Sequence, residues 1–202
     1  ILGNLYWSQL GVDILAHEDA IHEIEENSHT ILERMKSYNR DKAVGTEVVI
    51  PNKSFSEKVI FNLGGLEFHV LHLGPAHGPG DTQVWLPQLS LMIAGDMAFH
   101  ERMLPIFENT CTKCWLETWD KKFAPLNATY VIPGHGHPTN MAQVTRFTRN
   151  YLLDLRAKVS EVLDNGGDLA EAFYVDQERW RSLDTFEELA KRNAGRVFEE
   201  ME

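Results

Sequence analysis

The chain predicts an α/β layered domain, and three observations predict it. Segments of β character interleave with helical patterns along the whole length. The strand signals crowd the middle, and amphipathic helical stripes stand at both ends.

The elements follow in order. The opening stretch "ILGNLYWSQL" is an apolar segment, and Val12 to Ala16 reads as a strand. From about Glu18 to Tyr38, Ile21, Ile24, Ile31, Leu32 and Met35 recur at helical spacing, which predicts a helix. Asn39 to Ser56 is polar and turn-rich. "EKVIFNLGGLEFHVLHLG" then reads as two strands folded at Gly64 and Gly65, where paired glycines supply the positive φ of a tight hairpin. "TQVWLP" and "LSLMIAGD" form a second pair, and Pro87 ends the first arm because it has no N–H for the ladder.

"CWLETWDKKFAPL" predicts a helix, and "ATYVIPGHGHP" a strand running into a loop of Gly, Pro and His. Asn140, with Gln143 three residues on, caps a long helix. Its stripe of Met141, Val144, Phe147, Tyr151, Leu155, Val159 and Val162 ends at Gly166 and Gly167. A last helix is expected after Asp184, with Glu187 completing a second capping-box-like pair. No repeat, low-complexity tract or linker divides residues 1–202, so a single domain is expected, with C-terminal helices over about 140–202.

Composition narrows the function. The chain has 202 residues, 43% hydrophobic and 24% charged, with a formal net charge of -11. Such a surface repels polyanions on average, so neither nucleic acid nor an anionic membrane is an expected partner. No apolar run approaches the roughly 18 residues of a membrane span. Composition leaves small molecules open as partners, and a small-molecule substrate is expected only from the resemblance described below. The two cysteines, Cys111 and Cys114, are too few to fix a redox compartment, and cytoplasm and periplasm both stay open. A thioredoxin-like pair should open a helix directly after a strand, whereas this one follows the loop "ERMLPIFENT". Incidental thiols or a local disulfide are therefore expected rather than redox catalysis.

The chemistry gathers at three turns. His77 in "AHGPGD", Asp96 in "MIAGD" and His135 in "VIPGHG" each stand where a strand gives way to a Gly-rich turn. Strand ends of one sheet can converge on one rim, and glycine lets backbones approach closely there. Two imidazoles and a carboxylate suit zinc, and also iron or manganese. Asp81 and Thr82 are expected to form the turn, with Asp81 placed for a supporting hydrogen bond. His137 is an alternative ligand, and His100 a substrate contact or an exposed side chain. His69 and His72, three apart on one strand, cannot both face one metal and read as structural. "MLPIF" reads as core packing or pocket lining.

"GPAHGPGDTQVWLP", "LSLMIAGD" and "YVIPGHGHP", in this order, resemble the second half of the metallo-β-lactamase-fold hydrolase superfamily, in particular its glyoxalase II-like thioesterases and lactonases. The likeness covers roughly residues 1–140. It implies a partial αββα sandwich, the C-terminal portion of that fold. It also implies that His77, Asp96 and His135 are metal ligands, with Asp96 and a hydroxide bridging two ions, zinc, iron or manganese. The family's H-x-H-x-D-H loop precedes a segment similar to "GNLYW", and this chain opens on Ile1, so the expectation is a truncated portion holding half of a binuclear site, with one ion or none. His17, His22 and His29 lack the spacing to replace that loop. Asp at position 96, where the best-known zinc β-lactamases carry Cys, points to esters, thioesters, lactones or phosphodiesters rather than β-lactams. No side chain is assigned as general acid or base. A second expectation, from a different class, is a noncatalytic scaffold or binding module with a vestigial site. Strands lost from the sandwich would bare an apolar face, through which a homodimer is expected.

Overall fold

A computed structural model describes residues 2–202, which form two compact units that divide between Lys58 and Val59. The first unit holds helix α1 (Asn4–Gln9), strand β1 (Leu15–His17), helix α2 (Glu18–Asn39) and strand β2 (Lys53–Phe55). α2 begins where its periodicity predicts, because His17 caps it: Nδ1 accepts from the Asp19 N–H at 3.2 Å, and the opposite ring nitrogen meets the Ser56 carbonyl at 2.7 Å. β1 is shorter than the strand expected over Val12 to Ala16, and it pairs in parallel with β2, which lies inside the stretch expected to be turns. Three residues carry too little alternation to announce a strand.

The second unit is built on a sheet of five strands in the order β3 (Lys58–Leu63), β4 (Leu66–Leu71), β5 (Gln83–Leu86), β6 (Leu91–Phe99), β7 (Tyr130–His135). The β4–β5 and β5–β6 pairs are antiparallel, as the short connections require. β6 and β7 are parallel, and the crossover between them carries α3 (Thr112–Thr118), which continues as a π-turn over Trp119–Phe123. Parallel pairing brings the C-terminal ends of both strands to the same rim. That rim carries the candidate site.

The core lies on one face of this sheet. Met92, Ala94 and Val131 are fully buried or nearly so with Trp115, Trp119 and Phe123, and with Tyr151, Leu152, Leu155 and Val159 of α5 (Asn150–Asp164). On the other face Ile93 pairs with Ile132, and both are more than a third exposed. α5 is preceded by α4 (Met141–Val144) and a π-turn, Thr145–Arg149. Asn140 caps α4 as expected, accepting from the Gln143 N–H at 3.1 Å. The π-turn turns Thr148 inward, where its hydroxyl accepts from the Phe99 N–H at 2.8 Å and donates to the Phe99 carbonyl at 3.1 Å. The β6–β7 register shifts between Gly95 and Phe99, so this hydroxyl satisfies backbone that the ladder leaves there.

After α6 (Leu169–Ala172), the chain closes with α7 (Phe186–Met201). The helix starts where expected, but the capping pair with Glu187 does not form. Thr185 sits at φ 63° and turns its hydroxyl back to the Asp184 carbonyl. The capping box belongs instead to α6, between Asp168 and Glu171. Cys111 and Cys114 are joined by a disulfide across the start of α3, the local-bridge alternative of the sequence reading. Among the described residues, no helix is long and apolar enough to cross a membrane.

Candidate metal centre

His77 follows β4 in the Gly/Pro-rich turn, Asp96 lies past the middle of β6 and His135 ends β7. The sheet order sets β6 beside β7, and the β4–β5 connection brings the His77 turn to the same rim. Asp96 stands between the two imidazoles. Its Oδ2 lies 3.9 Å from His77 Nδ1, and its Oδ1 lies 3.7 Å from His135 Nε2. Both separations exceed a hydrogen bond. They approach the roughly 3.4 Å between two donors that each hold an ion at about 2.0–2.2 Å in tetrahedral geometry.

Each side chain is fixed by its surroundings. The His77 ring lies against Phe107 at 5.2 Å between centroids, and against Phe99 and Trp115 at 5.9 Å each. Its carbonyl accepts from the Thr110 hydroxyl at 2.8 Å. The His77 Nε2 atom is buried and has no hydrogen-bond partner. A buried imidazole nitrogen left so is costly unless something outside the chain takes it. The His135 ring stacks on Phe99 with centroids 5.1 Å apart.

Two glycines make the approach of the loops feasible. A Cβ on Gly134 would collide with Asp96 Oδ1 and with the Gly95–Asp96 backbone. A Cβ on Gly136, whose φ is 88°, would collide with the His100 carbonyl.

The other predicted residues fall around this trio. Asp81 is half-buried and closes the His77 turn, Oδ2 accepting from the Gly78 N–H at 2.9 Å. Burial pushes its carboxyl above the ordinary aspartate value, while the Gly78 N–H and His77 pull the other way. His100 is turned inward, with Nδ1 on the His137 carbonyl at 3.0 Å and its ring against Phe147 at 5.4 Å. His137 is exposed and pairs with Glu101, Nδ1 to Oε2 2.6 Å. His69 meets Glu67, and His72 the Asp81 carbonyl.

Arg102 escapes a reading by motif. Its guanidinium Nη1 lies 2.7 Å from His135 Nδ1, and its Nε is buried without a partner. A lone arginine in a loop has no spacing to mark it. The one sequence signal is its position six residues past Asp96 in the loop after β6.

His77, Asp96 and His135 do not converge on one point, because their donor atoms are not all within 4.8 Å of one another. The arrangement is two imidazoles with a shared carboxylate between them, one oxygen toward each. A nitrogen–oxygen–nitrogen set of this kind, with a buried imidazole nitrogen unclaimed, fits borderline divalent ions.

A model of the metallo-beta-lactamase superfamily matches residues 1–137. Among curated proteins, the chain is 29% identical over 90 residues to a type 2 metallo-beta-lactamase of Bacteroides fragilis, covering 43% of this chain and 36% of that protein. Among solved structures it is similar to a metallo-beta-lactamase from Pontibacter korlensis, with TM-score 0.59, 19% identity, and coverage of 75% of this chain and 62% of that one. It is also similar to the stereoselective inverting sec-alkylsulfatase Pisa1 from Pseudomonas sp., with TM-score 0.66, 17% identity, and coverage of 96% and 37%. The chain thus spans little more than a third of the curated relative and about three fifths or less of these two structures. At such identities the structural likeness establishes the fold.

Proposed function

The chain belongs to the metallo-beta-lactamase superfamily, and we propose that His77, Asp96 and His135 are metal ligands that it contributes to a metal-dependent hydrolytic centre. The observation that carries this reading is the placement of Asp96, one carboxylate oxygen toward each imidazole, and a buried Nε2 on His77 that no group of the chain claims supports it. A divalent ion held there would lower the pKa of a water and polarise the scissile bond.

The chain's own residues supply position and electrostatics. Phe99, Phe107 and Trp115 hold the His77 ring and keep water from its inner side, so the ring presents a fixed nitrogen rather than a mobile one. The Thr110 hydroxyl fixes the backbone that carries it. Gly134 lets the Asp96 carboxylate lie against β7, which places its Oδ1 toward His135. Asp81 ties off the turn.

The substrate class we propose is an ester in the broad sense: carboxylic ester, thioester, lactone or phosphodiester, in the manner of the glyoxalase II-like branch, with zinc, iron or manganese as the ion. Aspartate rather than cysteine at position 96 supports this over β-lactam hydrolysis. The likeness to a sec-alkylsulfatase adds sulfate esters to the panel. The test is a hydrolysis assay over these classes, with chelator and with zinc, iron or manganese restored. Hydrolysis of one class, abolished by chelator, regained with metal and lost in Asp96→Asn, is the expected result. Metal bound with no class hydrolysed would favour the noncatalytic module instead.

A further inference from the structure

Arg102 presents a half-buried guanidinium that pairs with no carboxylate among the described residues. Buried or half-buried charges are ordinarily paired, and this one carries in addition a buried Nε with no partner at all. Its nearest acid in sequence, Glu101, is turned away to His137. The polar contact the guanidinium does make is unusual in kind: Nη1 lies 2.7 Å from Nδ1 of His135, and the same atom is 3.5 Å from Nε2, so the short contact is with Nδ1. A guanidinium can only donate, so Nδ1 accepts. A neutral imidazole that accepts at Nδ1 carries its proton on Nε2, the nitrogen that faces Asp96. An ion held by His135 through Nε2 needs the lone pair on that same atom. The Arg102 contact and ion binding at Nε2 are therefore mutually exclusive states of one ring.

We propose that Arg102 has two alternating partners: it masks His135 while the site is free of metal, and with metal on His135 it turns to an anionic group of the substrate, a carboxylate, sulfate or phosphate. The proposal rests on the reading of His135 as a ligand and goes beyond it by giving the substrate a charge. Guanidinium is suited to both partners, since it stays charged and its fork of N–H donors matches planar or tetrahedral oxyanions. In a chain with a formal net charge of -11, an unpaired cation at the rim is a local exception, and it makes the site attractive to anions that the rest of the surface repels.

The test compares the unaltered chain with Arg102→Gln, Arg102→Lys and His135→Ala. Zinc affinity is read by competition with a chromophoric chelator, and sulfate, phosphate and acetate are titrated onto the zinc-loaded proteins. Removing the masking contact should make Arg102→Gln bind zinc about 5- to 10-fold tighter. It should also weaken anion binding about 10-fold or more, with Arg102→Lys retaining part of it. The acetate arm separates a carboxylate specificity from one for tetrahedral oxyanions. Nitrogen-detected spectra of the metal-free chain should show His135 as the Nε2–H tautomer, shifted in Arg102→Gln. Zinc affinity unchanged or lowered in Arg102→Gln would make Arg102 a mere support of His135 and overturn the masking role. Anion affinity unchanged in Arg102→Gln and Arg102→Lys would overturn the recognition role. Equal zinc binding by the unaltered chain and His135→Ala would instead remove the ligand reading beneath both.

Discussion

At Gly134 a side chain would have nowhere to go, because the Asp96 carboxylate and the Gly95–Asp96 backbone occupy the space. Gly134→Ala should therefore lose metal affinity and cost about 2 kcal/mol or more, read from urea denaturation. Gly136→Ala adds a forbidden φ to a collision with the His100 carbonyl and should cost at least as much by the same measurement. The exposed pair of His137 and Glu101 makes a different prediction. Its hydrogen bond raises the His137 pKa and lowers that of Glu101. The contribution of His137 is full below the ordinary histidine range and is lost as pH rises through its raised value. That of Glu101 is present above the ordinary carboxylate range and is lost as pH falls through its lowered value. The pair is thus intact between those two limits, and in Glu101→Gln an NMR titration should return His137 toward the usual histidine pKa. His77, Asp96 and His135 stand out in the sequence as candidates because each lies in a glycine-flanked turn after a strand pattern. Arg102 was not, because its significance comes from the fold bringing residue 102 to residue 135.

Among the elements, α7 and the loop after β6 are joined by one buried side chain. Asn193 Oδ1 accepts from the Ile106 N–H at 2.9 Å, and its Nδ2 donates to the Leu104 carbonyl at 2.7 Å and to the Tyr151 hydroxyl at 2.9 Å. Tyr151 in turn donates to Gln177 Oε1 at 3.1 Å. Every member is satisfied, and burial pushes the tyrosine pKa well up, so the hydroxyl stays protonated. Asn193→Leu leaves the Ile106 N–H and the Leu104 carbonyl unpaired in the core. It should cost about 3 kcal/mol, read as a lowered denaturation midpoint. The long helices and the hairpins were visible from periodicity and paired glycines. β2 was not, for three residues carry no pattern, and the absent cap at Thr185 follows from a positive φ that no side-chain preference announces. The π-turn at Thr145–Arg149 was equally silent, since Thr148 is placed by what the Phe99 backbone lacks.

For the molecule as a whole, the α/β reading follows from the order of its patterns, and the superfamily from three loops that agree in sequence and context. That Asp96 stands between His77 and His135 is what the family resemblance implied of a bridging ligand; residue spacing alone does not give it, because it depends on β6 and β7 running parallel to a common rim. The proposed centre depends on that placement. Its most direct test is elemental analysis of the chain purified without chelator and then dialysed against zinc, beside His77→Ala, Asp96→Ala and His135→Ala. Bound zinc is expected in the unaltered chain, reduced in each variant and most of all in Asp96→Ala, because that carboxylate faces both imidazoles. Zinc retained equally by all four proteins, or bound by none, would contradict it.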